Sequence, residues 1–205
     1  MLLKADEIAR RLAPGYDKAS ERLIIRPQPD LPDDKLGAAS VDLRLGCWFG
    51  IMRRNRVTHL DTVHTIPVPT AKLRPLKMHY VPFGKTFVLH PQDFVLAATF
   101  EWVRMPSKLA GYVIGRSSWG RRGLIIETAA GVHPGFTGCL TLELSNVGQV
   151  PIVLNPGIEI CQLFIHLVES ENEDGDKSAF VGQRRPVLGE IRLDRITQAL
   201  AKDSF

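Results

Sequence analysis

The feature that most constrains this chain is a long succession of short apolar runs, rich in Val, Ile, Leu and Phe, broken at close intervals by Gly and Pro. The runs are SVDLRLGCWFG (40–50), KTFVLHPQDFVLAATFEWV (85–103), LAGYVIG (109–115), GLIIETAA (123–130), GCLTLELSNV (138–147), QVPIVLNPG (149–157) and IEICQLFIHLV (158–168). Runs of this length and composition read as strands, and the Gly and Pro between them as turns. Helical spacing occurs near the start, where Ile8 and Leu12 lie four apart in DEIARRLAPG. Pro14 and Gly15 close that stretch, which predicts a helix of about ten residues. Many short strands with turn signals between them favour a sandwich, barrel or jelly roll over a βαβ arrangement.

At 205 residues the chain is expected to form a single domain spanning 1–205. Its 44% hydrophobic and 23% charged residues argue against disorder and against a fibre. No window approaches the ~18 apolar residues of a membrane span, and Asp6 and Glu7 interrupt any signal-peptide stretch. A soluble, cytoplasmic protein with no membrane partner is expected. The net charge of +4 is a mild excess. It suits a solvated basic surface or a site for an anion such as phosphate, but not the dense basic stripe of a nucleic-acid binder. Cys47, Cys139 and Cys161 lie far apart without a Cys-x-x-Cys pair, which predicts buried free thiols rather than zinc ligands. Residues 53–80, with Arg53, Arg54, Arg56, three histidines and three prolines, read as an excursion from the sheet. The polar stretch from 169 opens a carboxy-terminal arm, 169–205, of the kind that docks on a neighbouring subunit.

Two segments carry chemistry. GRSSWGRRG, Gly115 to Gly123, places two serines, three arginines and three glycines directly after an apolar strand. Backbone N–H groups, hydroxyls and guanidinium forks together are what holds a polyphosphate, although a basic turn between two strands has the same composition. It is not a Walker loop, because the Gly-Lys-Ser/Thr ending is missing. In GCLTLELSN, strict alternation puts Leu140, Leu142 and Leu144 on one face and Thr141, Glu143 and Ser145 on the other. A carboxylate there either faces solvent or, if its face lines a cleft, is fitted to move protons.

Taken in order, SVDLRLG, FVLHPQDFVLAATFEWVRMPSKLAGYVIGRSSWGRRGL, PGFTGCLTLELSNVGQVPIVLNPG and FVGQRRP resemble the dCTP deaminase family of the trimeric dUTPase-like superfamily, over about Ser40 to Pro186. The resemblance implies a mainly β, dUTPase-like distorted jelly-roll or β-clip domain with a short N-terminal helix, assembled as a homotrimer. It implies hydrolytic deamination of dCTP, or a close cytosine nucleotide, to dUTP and ammonia. By position, Arg116, Ser117, Ser118 and Arg121 would bind the triphosphate, and Ser117 and Arg121 would also position the attacking water. Glu143 would be the general base and acid, Ala129 or Ala130 would offer a backbone carbonyl to the water or leaving amine, Thr141 would line the substrate site, and Gln183 would reach the phosphates.

Attack at C4 of cytosine needs an activated water, a proton for the ring nitrogen and a proton for ammonia, and a single carboxylate can relay all three. Zinc deaminases hold a metal with His and Cys beside their glutamate, a signature this chain lacks. No catalytic cofactor is therefore expected, with Mg²⁺ accompanying the triphosphate. The chain also departs from the family. Gly131 replaces an arginine, His133 replaces an aspartate that meets the sugar hydroxyl, and the carboxy-terminal motif has lost its lysine and tyrosine at Ala179 and Phe180, with Lys177 out of register. His133 in place of a Mg²⁺-compatible carboxylate leads to the expectation that the phosphate chain stays uncut. The competing readings are a dUTP pyrophosphatase or bifunctional deaminase/dUTPase, and a nucleotide-binding trimer without catalysis.

Overall fold

The structure, a computed structural model, describes residues 1–31, 38–52, 76–127, 131–169, 182–189, 194–196 and 199. Helix α1 (Ala5–Leu12) opens the chain, with Asp6 and Glu7 in its first turn and Arg10 and Arg11 in its last, each sign matching the helix dipole. Ala5, Ile8 and Leu12 form its buried face. The helix is two residues shorter than expected because Ala13, ahead of Pro14, has already turned to extended backbone (ψ 139°). Among the described residues no helix is long and apolar enough to cross a membrane.

The strands are β1 (Ile24–Arg26), β2 (Ser40–Met52), β3 (Leu76–Tyr80), β4 (Phe87–Leu89), β5 (Phe94–Arg104), β6 (Leu109–Gly115), β7 (Leu124–Glu127), β8 (Gly131–Val132), β9 (Thr137–Asn146), β10 (Ile152–Leu154) and β11 (Glu159–Leu167). One antiparallel sheet runs in the order β7-β9-β5-β2-β11-β6-β8, with β1 added to β5 and β3 to β2, while β10 and β4 pair separately. The predominantly β architecture with a short N-terminal helix is the one expected. The apolar run 85–103 divides into β4 and β5 at a turn where Gln92 takes φ 66° and donates its N–H to the Asn146 carbonyl at 2.8 Å. β1 and β8 are too short to leave a pattern. β3, the last five residues of the expected excursion, belongs to the sheet, paired from Leu76 opposite Met52 to Tyr80 opposite Trp48; residues 53–75 lie outside the described ones.

Two irregularities curl this sheet. The β2–β5 register shifts between Leu45 and Phe49, and the β5–β9 register shifts between Ala98 and Trp102. Bulges of this kind bend a strand and increase its twist. β6 thereby comes against β7, and Gly115 at the end of β6 lies so near Ile126 of β7 that a Cβ added to it would sit 2.9 Å from the Ile126 Cβ. The inward side chains, Leu43, Leu45, Phe49, Ala97, Leu142, Leu144 and Leu163 among them, are fully buried. Of the three cysteines only Cys161 is buried; Cys47 and Cys139 are half-buried, because both stand at the bulges where the sheet opens.

A buried charge sits beside those bulges. Glu101 is fully buried, accepts the Arg44 backbone N–H at 2.8 Å, and pairs with the Arg44 guanidinium at 3.1 Å. Burial pushes its carboxyl above the ordinary range, and Arg44 opposes that rise. A carboxyl raised on folding contributes stability below its unfolded value, near 4.3, that is lost as pH rises through the folded one. Arg44→Met raises that folded value further and leaves the charge unpaired, so its cost should reach about 3 kcal/mol or more at pH 8 and be clearly smaller at pH 5. Urea denaturation at the two pH values measures this; equal losses would show that Glu101 does not carry the effect.

Candidate active site

β6 ends at Gly115, and the serine–arginine segment folds from there into one helical turn, α2 (Ser117–Gly120), with Arg116 as its N-cap. The Gly120 N–H donates to the Arg116 carbonyl at 3.1 Å, and the Arg121 N–H to the Ser117 carbonyl at 3.0 Å. Gly123 ends the turn at φ 87°, packed where a Cβ would be 2.9 Å from the Gly148 backbone. Trp119 rests against the core and donates its Nε1–H to the Glu159 carbonyl at 2.9 Å. The Glu159 side chain accepts from the Arg116 guanidinium, which also lies 3.7 Å from Asp42. Asp42 in turn accepts from the Gln162 amide at 3.1 Å.

This clamp sorts the expected phosphate ligands. Arg116 is engaged by two carboxylates of its own chain, whereas Ser117, Ser118 and Arg121 are exposed. The Ser118 carbonyl accepts from the Arg122 guanidinium at 2.6 Å, which stiffens the far side of the turn. Asp42 and Glu159 hold the turn from outside the GRSSWGRRG segment and are not among the residues expected from the sequence. Nothing local signals them, since Glu159 stands 43 residues from Arg116.

The second component is β9. Its burial alternates strictly, with Leu140, Leu142 and Leu144 inward and Thr141, Glu143 and Ser145 half-buried on the outer face, as expected. Glu143 pairs with Leu96 of β5 on one side and with Glu127 of β7 on the other. Two carboxylates directly opposite each other repel, so this position favours a cationic or protonated neighbour between them. Glu127 was not foreseen as a companion of Glu143. The asparagine of the T-L-E-x-x-N stretch, Asn146, has a structural duty: its buried amide donates to the Leu89 and Val150 carbonyls at 3.0 and 2.9 Å and accepts from the Gly148 N–H at 2.9 Å.

The remaining residues are distributed along the same strands. His133 is exposed in the turn after β8, where the Phe136 N–H donates to its carbonyl at 3.1 Å. Val132 pairs with Gly111, at the opposite end of β6 from Ser117, and about 13 Å of strand separates Gly111 from Gly115. Gln183 is half-buried, and its carbonyl accepts from the Cys139 N–H at 2.8 Å, which lays the start of the carboxy-terminal segment along β9 two residues from Thr141. Ala129 and Ala130 lie outside the described residues, as does most of the arm. The end of the turn adjoins β9, where the Val147 N–H donates to the Gly123 carbonyl at 2.9 Å and Leu124 pairs with Asn146. Gly115 touches Ile126, whose side chain points inward, while the neighbouring Glu127 and its partner Glu143 face outward.

Residues 2–168 match the family model for dCTP deaminase-like proteins. The chain belongs to that family. It is 39% identical over 192 residues to a dUMP-forming dCTP deaminase of Mycobacterium ulcerans, covering 91% of this chain and 93% of that protein. It is 40% identical over 174 residues to a dUMP-forming dCTP deaminase of Mycobacterium bovis, covering 82% and 87%. The fold is similar to a crystal structure of 2'-deoxycytidine 5'-triphosphate deaminase from Agrobacterium tumefaciens, with TM-score 0.56 and 24% identity over 82% of this chain; this chain spans about half, 48%, of that one. The expected family, fold and enzyme class, a hydrolase of the dCTP deaminase kind, therefore stand. The expected product does not. Both of these mycobacterial relatives are dUMP-forming, which overturns the reading of dUTP with an uncut phosphate chain and, with it, the weight placed on His133.

The contact that closes the sheet also seats α2. Gly115→Ala forces a Cβ against Ile126 and should cost about 1–3 kcal/mol in urea denaturation, the usual range for overpacking. Because the turn begins at the next residue, nucleotide affinity should fall in the same variant. A loss of stability with unchanged affinity would separate closure from the site.

Proposed function

We propose that the protein converts dCTP, two water molecules being consumed, into dUMP, ammonia and pyrophosphate. The observation that carries this reading is the family membership together with dUMP-forming relatives that align over nine-tenths of the chain. The geometry supplies parts for it. Glu143 takes a proton from the water that attacks C4 and passes it to the ring nitrogen, then takes the second from the C4 hydroxyl of the adduct and passes it to the departing amine, which leaves as ammonia. Ser117, Ser118 and Arg121 hold the phosphates, with Ser117 and Arg121 also orienting the water, and Arg116 stiffens the turn from behind through Glu159 and Asp42. Thr141 lines the sugar side and Gln183 approaches the phosphates from the carboxy-terminal segment. The His133 imidazole hydrogen-bonds the sugar hydroxyl. The proton inventory at C4 requires no metal, and Mg²⁺ enters as part of the substrate, on its phosphates.

A homotrimer follows from the same reading. In such a trimer the turn of one copy would face β9 of another, and the two together would form the cleft. Light scattering should give three times the 22.8 kDa chain mass, and a monomer at working concentration would remove this arrangement.

Incubation with dCTP and separation of the products should show ammonia, pyrophosphate and dUMP in equal amounts, and accumulating dUTP would sink the two-step reading. Glu143→Gln keeps the shape but not the proton relay. It should lower the rate by about 10²–10⁴ while leaving nucleotide binding nearly unchanged. A variant that deaminates at wild-type rate would remove Glu143 from the chemistry.

A further inference from the structure

The carboxy-terminal segment, described over 182–189, is tied to the sheet on two different strands. At β9 the Gly182 N–H donates to the Thr137 carbonyl, and the Cys139 N–H donates to the Gln183 carbonyl at 2.8 Å. β7 pairs with β9 from Asn146 to Glu143, so the segment takes up β9 backbone groups beyond the described end of β7. At β2 the Arg185 guanidinium stacks 3.9 Å over the Trp48 ring, and Pro186 after it is buried. β5 lies between β9 and β2, so the residues from Gln183 to Arg185 cross the sheet.

Packing from beneath gives this crossing little support. It borders a cavity of about 650 Å³ lined by Trp48, Ala98, Cys139 and Arg184 among others, and Arg184 and Arg185 are both exposed. Trp48 itself is held firmly. It stands half-buried within the β2 bulge, opposite Tyr80 of β3, the two rings 5.0 Å apart and tilted at 54°. Tryptophan offers a guanidinium the best of the aromatic faces. The bonds at β9 fix where the segment starts, and a second fixed point two residues beyond Gln183 sets which way it runs. The start lies on the outer face of β9, where Cys139 shares a side with Thr141 and Glu143.

We propose that Trp48 and Arg185 are positioning residues for the reaction, their contact holding the crossing that presents Gln183 to the substrate phosphates. That role rests on Gln183 being a phosphate ligand in the deamination reading, and neither Trp48 nor Arg185 need touch the nucleotide.

Hydrogen–deuterium exchange of the full chain, read by mass spectrometry, tests the anchor without reference to activity. Arg185 is exposed, so Arg185→Gln leaves the core intact. In that variant and in Trp48→Leu, exchange should quicken in peptides covering Gly182 and Cys139 and stay unchanged across Leu142 to Leu144. Kinetics on dCTP test what the anchor serves. Each variant should raise KM about two- to fivefold, the range of an exposed cation–π contact, with kcat held within about twofold. Arg185→Lys keeps a cation on the ring and should recover most of both effects. Added to Gln183→Ala, Arg185→Gln should raise KM no further, because both act through one side chain. Unchanged exchange in Arg185→Gln overturns the proposal, as do additive effects on KM. A KM raised by Gln183→Ala but not by Arg185→Gln overturns it too, and leaves Gln183 a phosphate ligand placed by β9 alone. A KM that Gln183→Ala does not move removes the phosphate reading of Gln183, and the proposal falls with it.

Discussion

The approach of Gly115 to Ile126 is the contact on which the rest of this structure depends. The outermost strands of this sheet are β7 and β8, and the sheet curls until β6, the neighbour of β8, comes against β7. Two bulges supply the curvature, and the missing side chain at Gly115 lets β6 come against β7. The same contact sets where the next residues go. Because β6 stops against β7, the chain must turn sharply at Arg116, and the turn it makes is α2. Closure of the fold and placement of the phosphate-binding candidates are thus one event.

Position is then maintained by charge. Glu159 holds α2 twice, by its carbonyl to Trp119 and by its carboxylate to Arg116, and Asp42 and Gln162 extend the hold across β2 and β11. Arg116 and Glu159 are each about a third exposed, so the pair contributes little to global stability. Its value is local. A helical turn of four residues has no stability of its own, and three anchors from β11 and β2 replace what length would otherwise supply. Arg116, an expected phosphate ligand, is thereby paired with Glu159 and Asp42, while Arg121 is exposed.

Local signals were legible in the sequence. The alternation of Leu140, Leu142 and Leu144 with Thr141, Glu143 and Ser145 reports β9 and its two faces correctly, because a strand with one apolar side can take only one register without burying charge. The limits of β6 could be read because Gly and Pro bound it. Long-range features were not legible. The bulges leave no compositional mark, β3 pairs with β2 only because the fold returns it there, and the Glu159 clamp joins residues with no shared pattern. The half-buried state of Cys47 and Cys139 follows from the bulges and was hidden with them.

The error about the product has a different physical origin. An imidazole cannot stand in for a carboxylate beside Mg²⁺, but the side chain at 133 does not by itself decide whether phosphorus is attacked. The turn that carries His133 is exposed, lies at the far end of β6 from Ser117, and is shaped by backbone bonds to Met105. If the cleft is shared between copies, the groups around the α-phosphate come from two chains, and one position samples only part of that shell. Hydrolysis at phosphorus is mostly positioning and charge stabilisation, and such work is spread over serines, guanidinium groups, backbone N–H groups and the substrate's own metal. A single replacement in a distributed site changes a contribution without cancelling the reaction.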